Sequence, residues 1–276
     1  MGSRTLRSLF LDLDGTLLGR GGSLLHDGEG NISIDGVRAV QACLRAGVEV
    51  VLMSGRRRAQ VAEDARLLGQ SSYIFEAGSC MVIAGEEHWL TGQMRPGERT
   101  IAEQIRQSGA PTLLLERYRG RLEYHDPWHT EREVSHLFRG LLDTSEANGV
   151  LTQNGHGDLR LLDNGLVSRR SEALAALPQV RGYHLVPASV SKAGAVAYHM
   201  RASGCEREQS FAIGDSVEDL ACAAEVGTFW LVANAVRRDP ALSGLCARYP
   251  NVRVTDSAHG AGVYEAVLKS LMSENG

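Results

Sequence analysis

Apolar runs and polar breaks divide the chain into three stretches. The first opens on a short apolar strand, Leu6 to Leu13, carried by Leu9, Phe10, Leu11 and Leu13, which Asp14-Gly15-Thr16 breaks. The Gly-rich segment from Gly19 to Gly30 reads as a loop or hairpin. A helix is predicted from near Asp35 to Arg45, with Val37, Val40, Ala42 and Leu44 as its apolar positions and Gly47 to end it. Val48 to Met53 is almost continuously apolar, as a strand in a sheet covered on both faces requires. Ser54-Gly55 opens a second helix to about Leu68, and Tyr73-Ile74-Phe75 is a third strand. Strands alternating with helices imply a parallel sheet with right-handed crossovers.

The pattern changes from about Gly85 to Gly182. This stretch is more polar and holds His88, His125, His129, His136 and His156. Short strands are predicted at Thr112 to Glu116 and Leu159 to Leu162, and helices at Glu98 to Gln107, Glu131 to Leu141 and Ser171 to Leu177. Such a mixture suggests a separate α+β unit. After Pro187 the first pattern returns, with helices at Lys192 to Arg201, Val217 to Ala224 and Tyr264 to Met272 and strands at Ser210 to Ile213, Thr228 to Val232 and Val252 to Val254. The expected architecture is an α/β, doubly wound parallel-sheet core, residues 1–84 and 187–276, interrupted by an inserted α+β unit, residues 85–186.

Composition adds mainly exclusions. With 276 residues, 43% hydrophobic and 22% charged, the chain is long enough for a domain with a second one inserted. A net charge of -4 gives no electrostatic reason to expect nucleic acid or an anionic membrane as partner. Five cysteines without a C-x-x-C pair read as buried thiols in a reducing compartment. The start, Met1-Gly2-Ser3-Arg4-Thr5, has no apolar signal region behind it, and Leu6 stands where a myristoylation signal wants Ser or Thr. No apolar run is long enough to span a bilayer, so a cytoplasmic location is the expectation. Oligomeric state is not legible.

Four short constellations carry the chemistry. In Asp12-Leu13-Asp14-Gly15-Thr16 the strand alternation sends Asp12 and Asp14 to one side at the carboxyl end, where open α/β sheets bind ligands. Two close carboxylates repel unless a proton or a hard cation intervenes. In Met53-Ser54-Gly55-Arg56 a hydroxyl and backbone N–H groups at a helix start suit a phosphate oxygen, although Ser54 as a plain N-cap is equally good. Lys192, behind Ser191 at a helix start, runs against the helix-dipole preference, an objection that a phosphate or an acidic cluster removes; alone it reads as an exposed lysine. Gly214-Asp215-Ser216-Val217-Glu218-Asp219 puts Asp215 at a strand's carboxyl end and Asp219 in the first helical turn, where a dipole complement is also a fair account. All four lie at strand ends or helix starts, so all can meet at one sheet edge. Carboxylates, a hydroxyl and a lysine are what phosphoryl transfer needs.

The order Asp12-x-Asp14-Gly15-Thr16, Ser54-Gly55-Arg56, Lys192 and Gly214-Asp215-x-x-x-Asp219 resembles the haloacid dehalogenase (HAD) superfamily of phosphatases. The large insertion between the second and third motifs resembles its Cof-type branch, which also holds sucrose-phosphate, mannosyl-3-phosphoglycerate and phosphoglycolate phosphatases. The resemblance implies an HAD-like Rossmannoid core with an inserted cap domain, and Mg2+ as cofactor. It implies Asp12 as nucleophile, Asp14 as general acid and base, and Asp12, Asp215 and the main chain of Asp14 as metal ligands. Ser54, Gly55 and Lys192 are then the phosphate binders, with Asp219 in support. Glu218 departs from the branch, where Asn is common, and is given no role.

The implied reaction is hydrolysis of a small phosphorylated metabolite, a sugar phosphate or phosphoglycerate-type acid ahead of phosphoglycolate, through a phosphoaspartate on Asp12, with the cap excluding water. Two alternatives stay open: a sugar-phosphate mutase of the same superfamily, and a non-catalytic regulator retaining the fold. Arg119, Arg121, His125, His129, His156, Asp158 and Arg160 are polar positions in the insertion, none of which is singled out as a substrate reader.

Overall fold

Strands that are apolar on both faces need helices on both faces, and the apolar runs at the two ends of the chain supply one sheet between them. The computed structural model describes residues 5–167 and 171–273. The Met1 to Arg4 segment weighed for a targeting signal, residues 168–170 of the inserted span and residues 274–276 lie outside the described residues.

The large sheet contains β1 (Ser8–Asp12), β2 (Glu49–Met53), β3 (Tyr73–Phe75), β4 (Cys80–Ile83), β5 (Glu86–Trp89), β10 (Ser210–Gly214), β11 (Thr228–Leu231) and β12 (Val252–Val254). Its order is β12-β11-β10-β1-β2-β3-β4-β5. The pairs from β12 to β3 are parallel, and β4 and β5 are added antiparallel. Leu9, Phe10, Leu11, Val50, Val51, Leu52, Phe211, Ala212 and Ile213 are buried in its core. Helices α1 (Asp35–Ala46), α2 (Arg58–Leu67), α6 (Lys192–Ser203), α7 (Val217–Leu220), α8 (Ala233–Arg238), α9 (Ala241–Cys246) and α10 (His259–Met272) belong to this part of the chain. Strand order reverses at β1, whose neighbours are β2 and β10. Ligands in open α/β sheets bind at the carboxyl edge of such a switch point.

The second sheet is antiparallel, in the order β6 (Leu122–Tyr124), β7 (His136–Gly140), β9 (Arg181–Pro187) and β8 (Leu159–Leu166). Helices α3 (Ile101–Ser108), α4 (Ala110–Arg117) and α5 (Thr144–Gln153) cover one face. Alternation decides the rest: Tyr183 and Leu185 join the helix-side core, whereas Val186 joins Ala77, Leu162 and Val190 in a small cluster on the opposite face. His184 shares that opposite face with Val186.

The structure departs from the sequence expectation at several elements: Glu86–Trp89, assigned to the inserted unit, is a strand of the large sheet, the helix expected at Ser171 to Leu177 is a single 3-10 turn, Glu172–Leu174, and two elements change type. Thr112 to Glu116 is helix rather than strand, because Pro111 sits in the first turn of α4, where its missing N–H costs nothing. Glu131 to Leu141 is not a helix: its second half is β7, a strand paired on both edges, whose residues Leu137 to Gly140 are all buried. Short apolar runs do not distinguish the two periods.

The tight turn between β3 and β4 is tied by its first side chain to the segment just before β7. Glu76, Ala77 and Gly78 all have left-handed backbone, with φ of 45°, 61° and 100°. Such conformations at non-glycine residues persist only when surrounding contacts hold them. Here the fully buried Glu76 carboxylate accepts hydrogen bonds from the backbone N–H groups of Glu133 (2.8 Å), Val134 (3.1 Å) and Ser135 (2.6 Å), and from the Ser135 hydroxyl (2.8 Å). A second bridge lies nearer the surface: Arg181 of β9 pairs with Asp163 (2.6 Å) and with Asp239 (3.1 Å), just beyond α8. Replacing Glu76 by Ala leaves buried donors without an acceptor, and is expected to cost about 3 kcal/mol or more in urea unfolding. A loss under about 1 kcal/mol would contradict this role.

Candidate active site

Three parallel strands deliver the predicted residues to one edge. Asp12 is the last residue of β1, Ser54 follows β2, and Asp215 follows β10. Lys192 opens α6, whose N-cap Ser191 accepts a hydrogen bond from the Gly194 N–H. Gly78 makes that placement possible, since a Cβ there would stand 2.2 Å from the Ser191 carbonyl oxygen.

The lysine is not exposed. Lys192 is 2% exposed and donates to Asp12 Oδ1 at 2.7 Å and to Asp219 Oδ1 at 2.5 Å. Burial works against its ammonium, but Asp12 and Asp219 outweigh that and hold the pKa well above the ordinary lysine value. Asp219 is both a helix-start acid and the lysine's anchor. Its second oxygen accepts from the backbone N–H of Asp215 and Ser216, at 3.2 and 3.0 Å, and from the Ser216 hydroxyl at 2.6 Å.

One lysine does not neutralise this group. Asp12, Asp215 and Asp219 are all buried and can bring an oxygen each within 4.8 Å of one another. Burial, then the negative charge of Asp219, pushes the Asp12 carboxyl well above the ordinary carboxylate range. Burial likewise raises Asp215 to about 6, against the pull of Arg238, which donates to its Oδ2. Asp12 Oδ2 is buried without a hydrogen-bond partner. An orphaned buried oxygen beside excess carboxylate fits a hard divalent cation, held by Asp12 and Asp215. Asp219 already accepts hydrogen bonds on both oxygens.

Asp14 goes elsewhere. Strand β1 ends at Asp12, so the alternation does not carry two residues further. The Asp14 carboxylate is half exposed and forms a two-point pair with Arg56, at 2.6 and 2.7 Å, and Arg56 also holds Asp64 at 3.0 Å. Its side chain is outside the three-carboxylate cluster. Ser54 is buried, and its hydroxyl accepts from the Arg56 N–H at 3.1 Å. It is not a helix cap: α2 starts only at Arg58, leaving Ser54 to Arg57 as a loop. The carbonyls of Ser54 and Arg56 accept from the Ala77 and Glu76 N–H groups, at 3.1 and 3.0 Å.

The inserted unit closes over that loop with residues that sequence reasoning did not single out. A Cβ on Gly55 would stand 2.8 Å from His184 Nε2 and 3.3 Å from Asn164 Oδ1. Arg132 donates to the Gly55 carbonyl and to the Ser135 hydroxyl, both at 3.0 Å, and that hydroxyl lies 3.1 Å from His184 Nδ1. Burial, then the charges of Arg132 and Lys192, holds His184 well below the ordinary histidine value, so it is neutral. His184, Asn164 and Arg132 are not among the seven polar positions noted in the insertion. The one available signal was the alternation of β9, which sends His184 and Val186 away from the helices.

No protein-family model matches the chain. Two curated relatives match at full length. A phosphoglycolate phosphatase of Methanothermobacter thermautotrophicus is 24% identical, covering 96% of this chain and 98% of its own. A phosphoglycolate phosphatase of Methanoculleus marisnigri is 24% identical, with 96% of both covered. Among solved structures, the sucrose-phosphatase of Synechocystis sp. PCC6803 superposes with a TM-score of 0.67 at 14% identity, over 96% of this chain and 98% of that one. A phosphatase of the haloalkanoate (HAD) superfamily from Bacteroides thetaiotaomicron gives 0.64 at 16% identity, over 98% and 96%. This chain has the haloacid dehalogenase-like fold.

Within the haloacid dehalogenase-like core, Lys192 is the counterion on which the acids depend. Lys192→Met is expected to destabilise the protein by about 3–5 kcal/mol in chelator-treated samples, because it strands two buried carboxylates. Lys192→Met combined with Asp219→Asn recovers part of that loss. Denaturant unfolding of the three proteins measures it, and a single-variant loss under about 1 kcal/mol would refute the pairing.

Proposed function

We propose that this protein is a Mg2+-dependent phosphatase that hydrolyses a small phosphorylated metabolite through a phosphoaspartate on Asp12. The observation that carries the reading is the Asp12 carboxylate: anchored on one oxygen by Lys192, free of partners on the other, and set at the switch point of the sheet. Bound Mg2+ supplies positive charge that lets the substrate phosphate approach a carboxylate. Asp12 and Asp215 would hold it, with the main chain of Asp14.

The chain's own residues account for the rest. Asp12 attacks phosphorus, and the bond to the leaving oxygen breaks as an acyl phosphate forms. Asp14 gives that oxygen its proton, exchanging Arg56 for the leaving group as it does so. Asp14 then takes a proton from the water that attacks phosphorus, releasing phosphate and restoring Asp12. Ser54, Gly55 and Lys192 hold the phosphoryl oxygens, and Asp219 fixes Lys192. The inserted unit acts as the cap, with His184, Asn164 and Arg132 facing the phosphate loop and excluding water.

The confined contact at Gly55 favours a small ester over a phosphoprotein. The names of the two full-length relatives make phosphoglycolate the first substrate to test, with sugar phosphates and phosphoglycerates beside it. We place the enzyme in the cytoplasm, without nucleic-acid or membrane partners; among the described residues no helix is long and apolar enough to cross a membrane.

Steady phosphate release from such a panel, with no bisphosphate activator, is the expected result and separates a phosphatase from a mutase. Chelation should stop it and Mg2+ restore it. Asp12→Asn is expected to lower turnover at least about a thousandfold. Full turnover by that variant would end the proposal.

A further inference from the structure

Arg238 ends α8 and lays its guanidinium on Asp215, one of the three clustered acids. The contact is a two-residue pair reached from solvent, since the Arg238 side chain is 37% exposed while that of Asp215 is 6% exposed. Its position is defined on two sides. Nη1 lies 3.4 Å from where a Cβ on Gly15 would stand, and Nη2 lies 3.8 Å from the corresponding point on Gly165 of β8. The guanidinium therefore sits between the loop after β1 and the inserted unit, at the mouth of the carboxylate cluster.

The charges around it are unevenly matched. Asp12 and Asp219 share Lys192, Asp12 Oδ2 has no partner, and Asp215 alone has an arginine. A divalent cation drawn to Asp12 and Asp215 meets a positive charge already seated on Asp215 Oδ2. Two cations on one carboxylate repel, and in a buried setting that repulsion is weakly screened. Arg238 can relieve it by swinging toward solvent, which Lys192, enclosed on all sides, cannot do. Neighbouring Arg237 makes a useful contrast, because its guanidinium is directed to the Asp256 carbonyl at 3.5 Å.

We propose that Arg238 sets the divalent-cation affinity of this site by competing with the ion for Asp215. The inference rests on the metal reading of Asp12 and Asp215 given above, and adds a residue that acts against binding rather than for it. Its consequence is a site tuned to release the ion when its concentration falls.

The test is Mn2+ binding to the full chain, stripped with chelator and without substrate, followed by the loss of the free-ion paramagnetic resonance signal. Arg238→Met is expected to bind Mn2+ at least about fivefold more tightly than wild type. Arg237→Met, with the same loss of charge, should stay within about twofold of wild type. Thermal melting gives a second readout: Arg238→Met gains more in Tm from saturating Mn2+ than wild type does. Equal or weaker binding by Arg238→Met, or an equal gain in Arg237→Met, overturns the competition. Measurable and equal affinity in all three proteins would remove this inference alone, whereas binding by neither wild type nor Arg238→Met would remove the metal reading with it.

Discussion

A buried ammonium between two buried carboxylates organises this protein. Isolated charges are expensive to bury, so each member of such a group must be held where its partners are. Lys192 meets that condition from the first turn of α6, Asp12 from the end of β1, and Asp219 from the first turn of α7. These elements are far apart in the chain, with Lys192 standing 180 positions after Asp12. The parallel order around β1 is what brings them to one place. Moving β1 or β10 by one residue would leave a charge without its counterion, so the pairing also enforces the strand register.

The turn at Glu76 to Gly78 extends that constraint outward. Its backbone N–H groups hold the carbonyls of the Ser54 to Arg56 loop, Gly78 lets the start of α6 approach, and the Glu76 side chain grips Glu133 to Ser135. One three-residue turn thus touches the phosphate loop, the lysine helix and the inserted unit. That is a reason for three successive left-handed residues to be kept.

Most of the core was legible because both faces of its strands are covered. Leu9 to Leu11, Val50 to Met53 and Phe211 to Ile213 read as apolar runs; Asp12 and Ser54 follow the first two at once, and Asp215 follows the third after Gly214. The inserted unit was harder. Val134, Leu137, Phe138 and Leu141 satisfy helical spacing, yet β7 is a strand whose neighbours come from both sides of it in sequence. The partners of Glu76 lie 57 to 59 residues away, and Arg238 reaches Asp215 across 23. No local pattern marks either residue, since each acquires its role from a contact that exists only after folding.

The two bridges between the sheets have different physical characters. Glu76 is enclosed and holds its partners through short hydrogen bonds, whereas Arg181 reaches Asp163 and Asp239 from a partly wet surface. Dissolved salt weakens the second and barely reaches the first. The large sheet and the inserted unit are therefore held by one contact that dissolved ions do not reach and by one that they do.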